Sequence, residues 1–344
     1  MRCLKVLNLQ IGDVLGRNVY DNSGRILLAQ NTVLTGDFIR RLTEHRVYSV
    51  YIDDPNCPLG GEDVINPRTR QAAVNSLREI ANSTLRKSIS KHKDYGIILS
   101  SIITNIIDEL IQRKDSLINI VDLKDYDNYT YAHSVNVAVL SIATGISLGY
   151  KYERLKSMGI GALLHDLGKV FVPLEILNKS GKLTPDEFNV IKSHPEKGFH
   201  KSREDDIIDV LGRAVILQHH EKMDGSGYPY GKKANEIHEF AKIVAVSDVY
   251  DAVTSDRPYR ERWSPSHALE YLYSITESHL DYQMVVSFSR NIAPFPLGSL
   301  VQLSNGETGY VIENSPNAHR PVLQVGDSRI DLQKELTLII DKIL

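Results

Sequence analysis

The sequence has few cysteines, little excess charge and no long apolar run, and each shortage excludes a class of protein. Cys3 and Cys57 are the two cysteines among 344 residues, too few for a disulfide framework and without a metal-type spacing. A reducing, cytoplasmic location is therefore expected. The net charge of −3 provides no basic footprint for polymeric nucleic acid, so we expect no such partner.

The most apolar stretch, residues 97–111, does not predict a membrane span. It contains Asn105, Asp108 and Glu109 and falls short of the ~20 residues that a span needs. Its isoleucines recur at helical spacing and indicate an amphipathic helix. The apolar stripe either packs within the chain or forms the seam of a homodimer, and the sequence leaves both readings open.

Changes in composition divide the chain into segments of different predicted structure. Short β-type runs at 24–29 and 47–52 flank a predicted helix at 36–44, and β-type runs with turn residues between them return at 299–303, 308–312 and 322–325. The predicted fold is mainly α, a helical bundle flanked by two small β-rich domains. The predicted boundaries are an α+β module at 1–54, a linker at 55–67, a helical connector at 68–119, the main helical domain at 120–292 and a small β domain at 293–344.

The segment from His219 to Pro229 carries the strongest chemical signal. It joins adjacent imidazoles at His219 and His220, a carboxylate at Asp224 and a Gly-Ser-Gly-Tyr-Pro turn. Imidazole nitrogen together with carboxylate oxygen suits Fe, Mn, Zn or Ni. Taken alone, a His-His pair is more often part of a solvated surface than a pair of metal ligands.

Further metal-type side chains occur where apolar runs end. His165 and Asp166 follow the run 160–164, and Asp248 follows the run 243–246. His133 lies close to the apolar face of a predicted helix, and His194 stands in a Ser-His-Pro-Glu segment. Because buried ionisable groups need partners, these residues are candidates for one metal site.

In this order, His133, His165-Asp166 and Asp248 resemble the ligand set of the HD phosphohydrolase superfamily. With the Gly-Tyr-Pro segment and the run 248–260, they resemble the HD-GYP family of cyclic di-GMP phosphodiesterases over about residues 120–292. The resemblance implies that Asp166 bridges two divalent ions. The remaining ligands it implies are His133, His165 and Asp248 for one ion, and His194, His219 and His220 for the other.

The resemblance also implies the number and kind of metal. Some members of the family place a Glu one helical turn before the first His, where it helps to hold a third ion. This chain has Tyr129 there, and a phenol is a poor ligand for a hard metal. We therefore expect two ions, Fe or Mn.

The resemblance also implies cationic residues that contact the substrate. Lys169 would stabilise the transition state, and Arg257 with Arg260 would bind phosphate or guanine edges. Asp251 is expected to orient a ligand or Lys169, unless it lies on a helix surface. The loop residues Gly225, Gly227, Tyr228 and Pro229 predict an irregular loop of fixed shape. That loop either shapes the pocket or presents Tyr228 to a GGDEF-type cyclase domain.

The function implied by the resemblance is hydrolysis of cyclic di-GMP to linear pGpG, with further cleavage to GMP left open. Two alternatives remain at this stage. One is an enzyme acting on another cyclic dinucleotide, such as 3′,3′-cyclic GMP-AMP. The other is a receptor or interaction module that binds a cyclic dinucleotide without turnover.

Overall fold

The structure is a computed structural model that describes most of the chain. It covers residues 2–20, 26–45, 47, 49–54, 64–85, 92–113, 117–118, 129–177, 179, 181–204, 208–255, 263–315 and 317–344. The predicted fold class, mainly α with small β-rich regions at both ends, is confirmed. In the described part of the chain, no helix is long and apolar enough to cross a membrane.

The N-terminal region is a small α+β unit with its own core. Its elements are β1 (Arg2–Lys5), β2 (Val14–Leu15), β3 (Val19–Tyr20), β4 (Ile26–Leu28), α1 (Gly36–Glu44) and β5 (Ser49–Asp53). The antiparallel sheet has the order β1-β5-β2, and β3 pairs with β4. Thr35 caps α1 by accepting a hydrogen bond from the Phe38 amide at 3.3 Å. The core includes Leu15, Leu34 and Leu42.

The middle of the chain forms a helical bundle. Its helices are α2 (Pro67–Leu85), α3 (His92–Gln112), α4 (Tyr129–Ser147), α5 (Tyr152–Leu163), α6 (Leu174–Leu177), α7 (Pro185–Lys192), α8 (His194–Glu204), α9 (Val210–Gln218), α10 (Glu239–Thr254), α11 (Pro265–Ser274) and α12 (Tyr282–Ser289). Helix α4 packs against α5 and α10, while α5 packs against α9. Helices α4 and α10 are central because they are apolar on most faces.

Two glycines allow α5 and α9 to approach closely. A Cβ atom at Gly161 would stand 2.7 Å from the carbonyl oxygen of Gly212, so no larger side chain fits this crossing. Helix α5 ends two residues before His165, and α9 ends directly before His219. The close crossing therefore brings these two histidines together.

The predicted amphipathic helix at 97–111 lies within α3. Its stripe is buried against α5, α2 and α4 of the same chain, and the buried members are Ile102, Ile103, Ile106, Ile107 and Leu110. The structure thus packs the stripe inside the chain, and a homodimer remains a prediction.

The predicted linker at 55–67 differs from the structure at its C-terminal end. Residues 55–63 lie outside the described part. Val64 and Ile65 are buried in the helical core, and Pro67 is the first residue of α2. Val64 and Ile65, which precede Pro67, therefore belong to the helical core rather than to a linker.

The C-terminal region is one antiparallel sheet. Its strands are β6 (Leu300–Leu303), β7 (Thr308–Glu313), β8 (Val322–Val325), β9 (Ser328–Asp331) and β10 (Ile340–Ile343), in the order β10-β6-β7-β8-β9. The sequence predicted the three central strands and missed β9 and β10. The Tyr310 hydroxyl donates a hydrogen bond to Asp54 Oδ2 at 3.3 Å, which joins this sheet to the end of the N-terminal unit.

Candidate metal centre

Seven side chains predicted as metal ligands converge where five elements of the bundle meet. The structure places them on α4 (His133), after α5 (His165 and Asp166), at the start of α8 (His194), after α9 (His219 and His220) and in α10 (Asp248). Six have buried or nearly buried side chains, and His220 is partly exposed. They form two groups.

The first group contains His133, His165 and Asp248. One ligand atom from each lies within 4.8 Å of the others. Nε2 of His133 is 3.1 Å from Oδ1 of Asp248. Behind the group, Nδ1 of His133 is 2.7 Å from Oδ2 of Asp251. Asp251 is fully buried, so the reading in which it lies on a helix surface does not hold.

The second group contains Asp166, His194, His219 and His220. One ligand atom from each again lies within 4.8 Å of the others. Oδ1 of Asp166 is 3.3 Å from Nε2 of His194 and 3.9 Å from Nε2 of His219. Nε2 of His194 is also 3.3 Å from Nε2 of His219.

Asp166 connects the two groups through its two oxygens. Oδ1 faces His194 and His219, whereas Oδ2 lies 3.4 Å from Nε2 of His165 in the first group. A carboxylate with one oxygen toward each group has the arrangement that a bridging ligand needs.

Four of the histidines are oriented in the same way. Each has its Nδ1 engaged, so that Nε2 points into the cluster. The Nδ1 partners are Asp251 Oδ2 for His133 (2.7 Å), the Ala162 carbonyl for His165 (2.7 Å), the Ile191 carbonyl for His194 (2.8 Å) and the Ile216 carbonyl for His219 (2.9 Å). An acceptor at Nδ1 fixes the tautomer in which Nε2 carries the free lone pair, and metal-binding histidines are held in this way.

Two histidines of the second group, His219 and His220, are held in the neutral form that binds a cation. Burial lowers the pKa of His219 well below its ordinary value, and the neighbouring His220 lowers it further. Burial likewise lowers the pKa of His220 to about 3. Burial alone would raise the pKa of Asp166, but the charge of Lys169 lowers it well below its ordinary value.

Carboxylates dominate the first group instead. Burial alone would lower the pKa of His133, but its hydrogen bonds to Asp248 and Asp251 raise that pKa to about 10. Burial alone would raise the pKa of Asp248, but His133 lowers it below its ordinary range. A pKa of about 10 means that His133 carries a second proton when no metal is bound, and a cation would displace that proton from Nε2.

The residues present fit a metal centre. Nε2 of His165 and Oδ1 of Asp166 are buried and have no hydrogen-bond partner among the described residues. Leaving a buried donor or acceptor unsatisfied costs roughly 1–3 kcal/mol, and a cation would satisfy both atoms. Five imidazoles and two carboxylates form a mixed nitrogen and oxygen donor set, which suits transition metals better than Ca or Mg.

Lys169 lies at the edge of this cluster. Its Nζ donates to Oδ2 of Asp166 at 2.5 Å, and about a quarter of its side chain is exposed (26%). The turn that carries it lies close to α8 because residue 168 is glycine: a Cβ atom there would stand 1.9 Å from the His194 carbonyl oxygen. Lys169 thus faces both the ligands and solvent.

The Gly-Tyr-Pro loop closes one side of the second group. The Tyr228 ring lies against His220, with ring centroids 4.7 Å apart. The Glu221 carboxylate accepts hydrogen bonds from the backbone amides of Tyr230 and Lys232, at 2.8 and 2.9 Å. Gly225 has a φ of +84°. These hydrogen bonds hold the loop beside the second group, and Tyr228 is turned toward the histidines.

Two sets of predicted residues cannot be placed. Arg257 and Arg260 lie outside the described residues. Tyr129 is the first residue of α4, but its side chain lies outside the described part of the chain. The assignments for all three remain predictions.

Sequence reasoning missed the groups that stand behind the ligands. Asn136, one helical turn after His133, is buried and donates to Asp251 Oδ1 at 2.7 Å. A polar amide between two valines, one turn after a candidate ligand, was the available signal. The Phe188 ring, 6.4 Å from that of Tyr228, was not singled out either.

Comparison with known proteins identifies the class. The HD domain family matches residues 115–284. The chain is 38% identical over 214 residues to a cyclic di-GMP phosphodiesterase of Pseudomonas aeruginosa, which covers 62% of this chain and 51% of that protein. It is 32% identical over 190 residues to 3′3′-cGAMP-specific phosphodiesterase 1 of Vibrio cholerae, which covers 54% of this chain and 42% of that protein.

A solved structure shares the fold. It is an HDG"Y"P protein from Bdellovibrio bacteriovorus, with a TM-score of 0.51 at 18% identity, covering 83% of this chain and 97% of that chain. At this identity the likeness concerns the fold alone. The chain spans about half the length, or less, of the curated relatives named above.

Together, the bundle, the paired ligand groups and the matched segment define an HD domain. Residues 115–284 match the HD domain family, and the matched segment contains the Gly-Tyr-Pro sequence Gly227-Tyr228-Pro229. The resemblance drawn from the sequence is confirmed at this level.

Proposed function

We propose that this chain is a metal-dependent phosphodiesterase that hydrolyses cyclic di-GMP to linear pGpG. The observation that carries the proposal is the pair of ligand groups joined by Asp166, with the Lys169 ammonium 2.5 Å from that carboxylate. Hydrolysis of a phosphodiester anion needs an activated water and fixed positive charge, and paired divalent ions supply both.

The protein's own groups have separate tasks in this proposal. Seven side chains would hold the ions, with Asp166 as the ligand common to both groups. The Lys169 ammonium binds a phosphoryl oxygen and offsets the negative charge that develops as the bond breaks. Burial and the charges of Asp248 and Asp166 raise the pKa of Tyr228, so its hydroxyl stays protonated beside the histidines and can donate a hydrogen bond to the substrate.

We propose two divalent ions, Fe or Mn, for this site. The support is the donor set: mixed imidazole and carboxylate ligands suit six-coordinate ions that keep positions for water and phosphate. Measuring the metal content of protein purified without oxygen tests the proposal. Two ions per chain are expected, and three ions, or full activity with zinc alone, would contradict it.

The substrate is proposed as cyclic di-GMP because of the relative from Pseudomonas aeruginosa. The 3′,3′-cyclic GMP-AMP hybrid is the second candidate, because the relative from Vibrio cholerae carries that specificity in its name. Turnover of a panel of cyclic dinucleotides by the Mn(II)-loaded protein separates the two. The result expected is the highest kcat/KM for cyclic di-GMP, with pGpG as first product; binding without turnover would instead identify a receptor.

A cyclase partner, a GGDEF domain, would meet the loop at its exposed edge. Tyr230 is 57% exposed there, whereas Tyr228 is turned inward. If such a partner binds, Tyr230→Ala should weaken the complex more than it weakens turnover. An unchanged affinity would remove the loop from the interface.

A further inference from the structure

A chain of hydrogen bonds connects helix α2 to the first ligand group. Arg70 on α2 donates from its NH1 to Asn136 Oδ1 at 3.3 Å. Asn136 Nδ2 donates to Asp251 Oδ1 at 2.7 Å, and Asp251 Oδ2 lies 2.7 Å from Nδ1 of His133. Asn136, Asp251 and His133 are all buried, so water does not replace these bonds easily.

Each bond in this chain fixes the direction of the next. The Asn136 amide must turn its NH2 toward the Asp251 carboxylate, and Arg70 stabilises that orientation by donating to the amide oxygen. If the amide were reversed, its oxygen would face the carboxylate and its NH2 would face the guanidinium. Asp251, so held, accepts from Nδ1 of His133 and leaves Nε2 as the atom that binds a cation.

Helix α2 is anchored next to Arg70. The Thr69 hydroxyl donates to Glu109 Oε1 on α3 at 2.6 Å. The helix also packs against α4, which carries His133, and against the turn 167–171, which carries Lys169. Arg70 lies outside the segment 115–284 that matches the HD domain family, so a helix preceding the domain reaches its centre.

We propose that Arg70 and Asn136 are positioning residues that act on His133 through Asp251. The affinity of the first ligand group for its metal then depends on helix α2. This inference rests on the proposed metal-dependent function, and its readout is metal affinity rather than turnover.

The experiment titrates Mn(II) into the metal-free full chain and its variants by calorimetry. For Asn136→Ala, we expect one Mn(II) dissociation constant to rise about 10- to 100-fold, the usual effect of removing a group that orients a metal ligand. For Arg70→Met, which keeps the apolar stem and removes the donors, we expect a rise of about 2- to 30-fold. Arg68→Met, an exposed arginine on the same helix, is the matched control and should bind as the unchanged protein does.

The double variant distinguishes positioning from general packing. If Arg70 acts through Asn136, adding Arg70→Met to Asn136→Ala should raise the Mn(II) dissociation constant by less than about twofold. An effect of Arg70→Met that persists in full there would overturn the proposal, as would an unchanged Mn(II) affinity in either single variant. Urea unfolding of each metal-free variant identifies loss of folding. If Arg70→Met does not fold, the same cycle is run with Arg70→Lys, which keeps a single donor and should lie between Arg70→Met and the unchanged protein.

The proposed activity can fail independently. A chain that binds Mn(II) with this dependence on Arg70, yet turns over no cyclic dinucleotide, would refute the activity and leave the positioning role intact. If the chain hydrolyses cyclic di-GMP but its Mn(II) affinity is the same with and without Arg70, the activity stands and the positioning role is refuted.

Discussion

The two ligand groups differ in what lies behind them. In the first group, His133 is held by the Asp251 carboxylate and Asp248 is itself a ligand candidate, so two negative charges surround one imidazole. In the second group, His194 and His219 are held by neutral peptide carbonyls at the ends of helices, and Asp166 shares its charge with Lys169.

This difference predicts an order of affinity. A divalent ion in the first group meets more negative charge in a buried pocket, where attraction between charges is stronger than in water. An ion in the second group meets three imidazoles and one carboxylate, Asp166, which both groups share. We expect the first group to bind its ion more tightly and the second to exchange its ion more readily.

Asp166→Ala should have the largest effect, because it removes the one side chain that both groups share. We expect both ions to be lost and turnover to fall by about 10³-fold or more. Metal analysis after dialysis, together with an assay for cyclic di-GMP, measures both. Two retained ions with intact turnover would show that the groups do not share a ligand.

Asp248→Ala tests the first ligand group, and His194→Ala tests the second. Each should lose one ion per chain and keep the other, since each removes a ligand of one group. The ion retained by His194→Ala should be the more tightly bound, because the carboxylate-rich group is intact in that variant. Competition with a chelator measures the two dissociation constants. An identical constant for the ion that remains in each variant would contradict the predicted order.

Lys169→Ala should leave both ions in place and reduce turnover by about 10²- to 10³-fold, the usual effect of losing one group that stabilises a developing charge. Its release from Asp166 should, if anything, tighten metal binding in both groups, because they share that carboxylate. Lys334→Ala in the turn after β9, where the side chain is 82% exposed, is the control and should change neither quantity. Loss of metal from Lys169→Ala would place the lysine among the groups that organise the site.

Gly227→Ala should give the smallest change, confined to the second group. A Cβ atom there would stand 2.4 Å from the Lys222 amide nitrogen, so the loop must shift and move Tyr228 away from His220. We expect the weaker ion to bind about tenfold less tightly while the tighter ion is unaffected. Gly181→Ala is the matched control, since no atom lies within 4 Å of a Cβ at that position. Equal weakening of both ions would show that the loop supports the whole site.

The sequence predicted the helical bundle and the residues that converge in it because their chemistry is visible locally. His165 and Asp248 each follow an apolar run, and a polar metal-type residue just after such a run is informative without any knowledge of contacts. The helix now seen as α3 was likewise predicted from its isoleucine spacing.

The rest depends on contacts between residues far apart in the chain. Asn136 and Asp251 are 115 positions apart, so no local pattern shows that they are bonded. Strand β9 reads Ser-Arg-Ile-Asp, a polar edge strand defined by pairing with β8 rather than by its own composition. The peptide carbonyls that hold His194 and His219 leave no trace in side-chain chemistry.

Gly161 and Gly212 lie where α5 crosses α9, and mutation of either glycine would disturb the metal centre. Neither Gly161 nor Gly212 carries a group that could bind metal or substrate, yet a single methyl at Gly161 would meet the opposite backbone at 2.7 Å. Selection on catalysis would therefore act on positions with no chemistry of their own. A survey of inactive alleles would find some of them in the interior of this helix pair, where the spacing between His165 and His219 is determined.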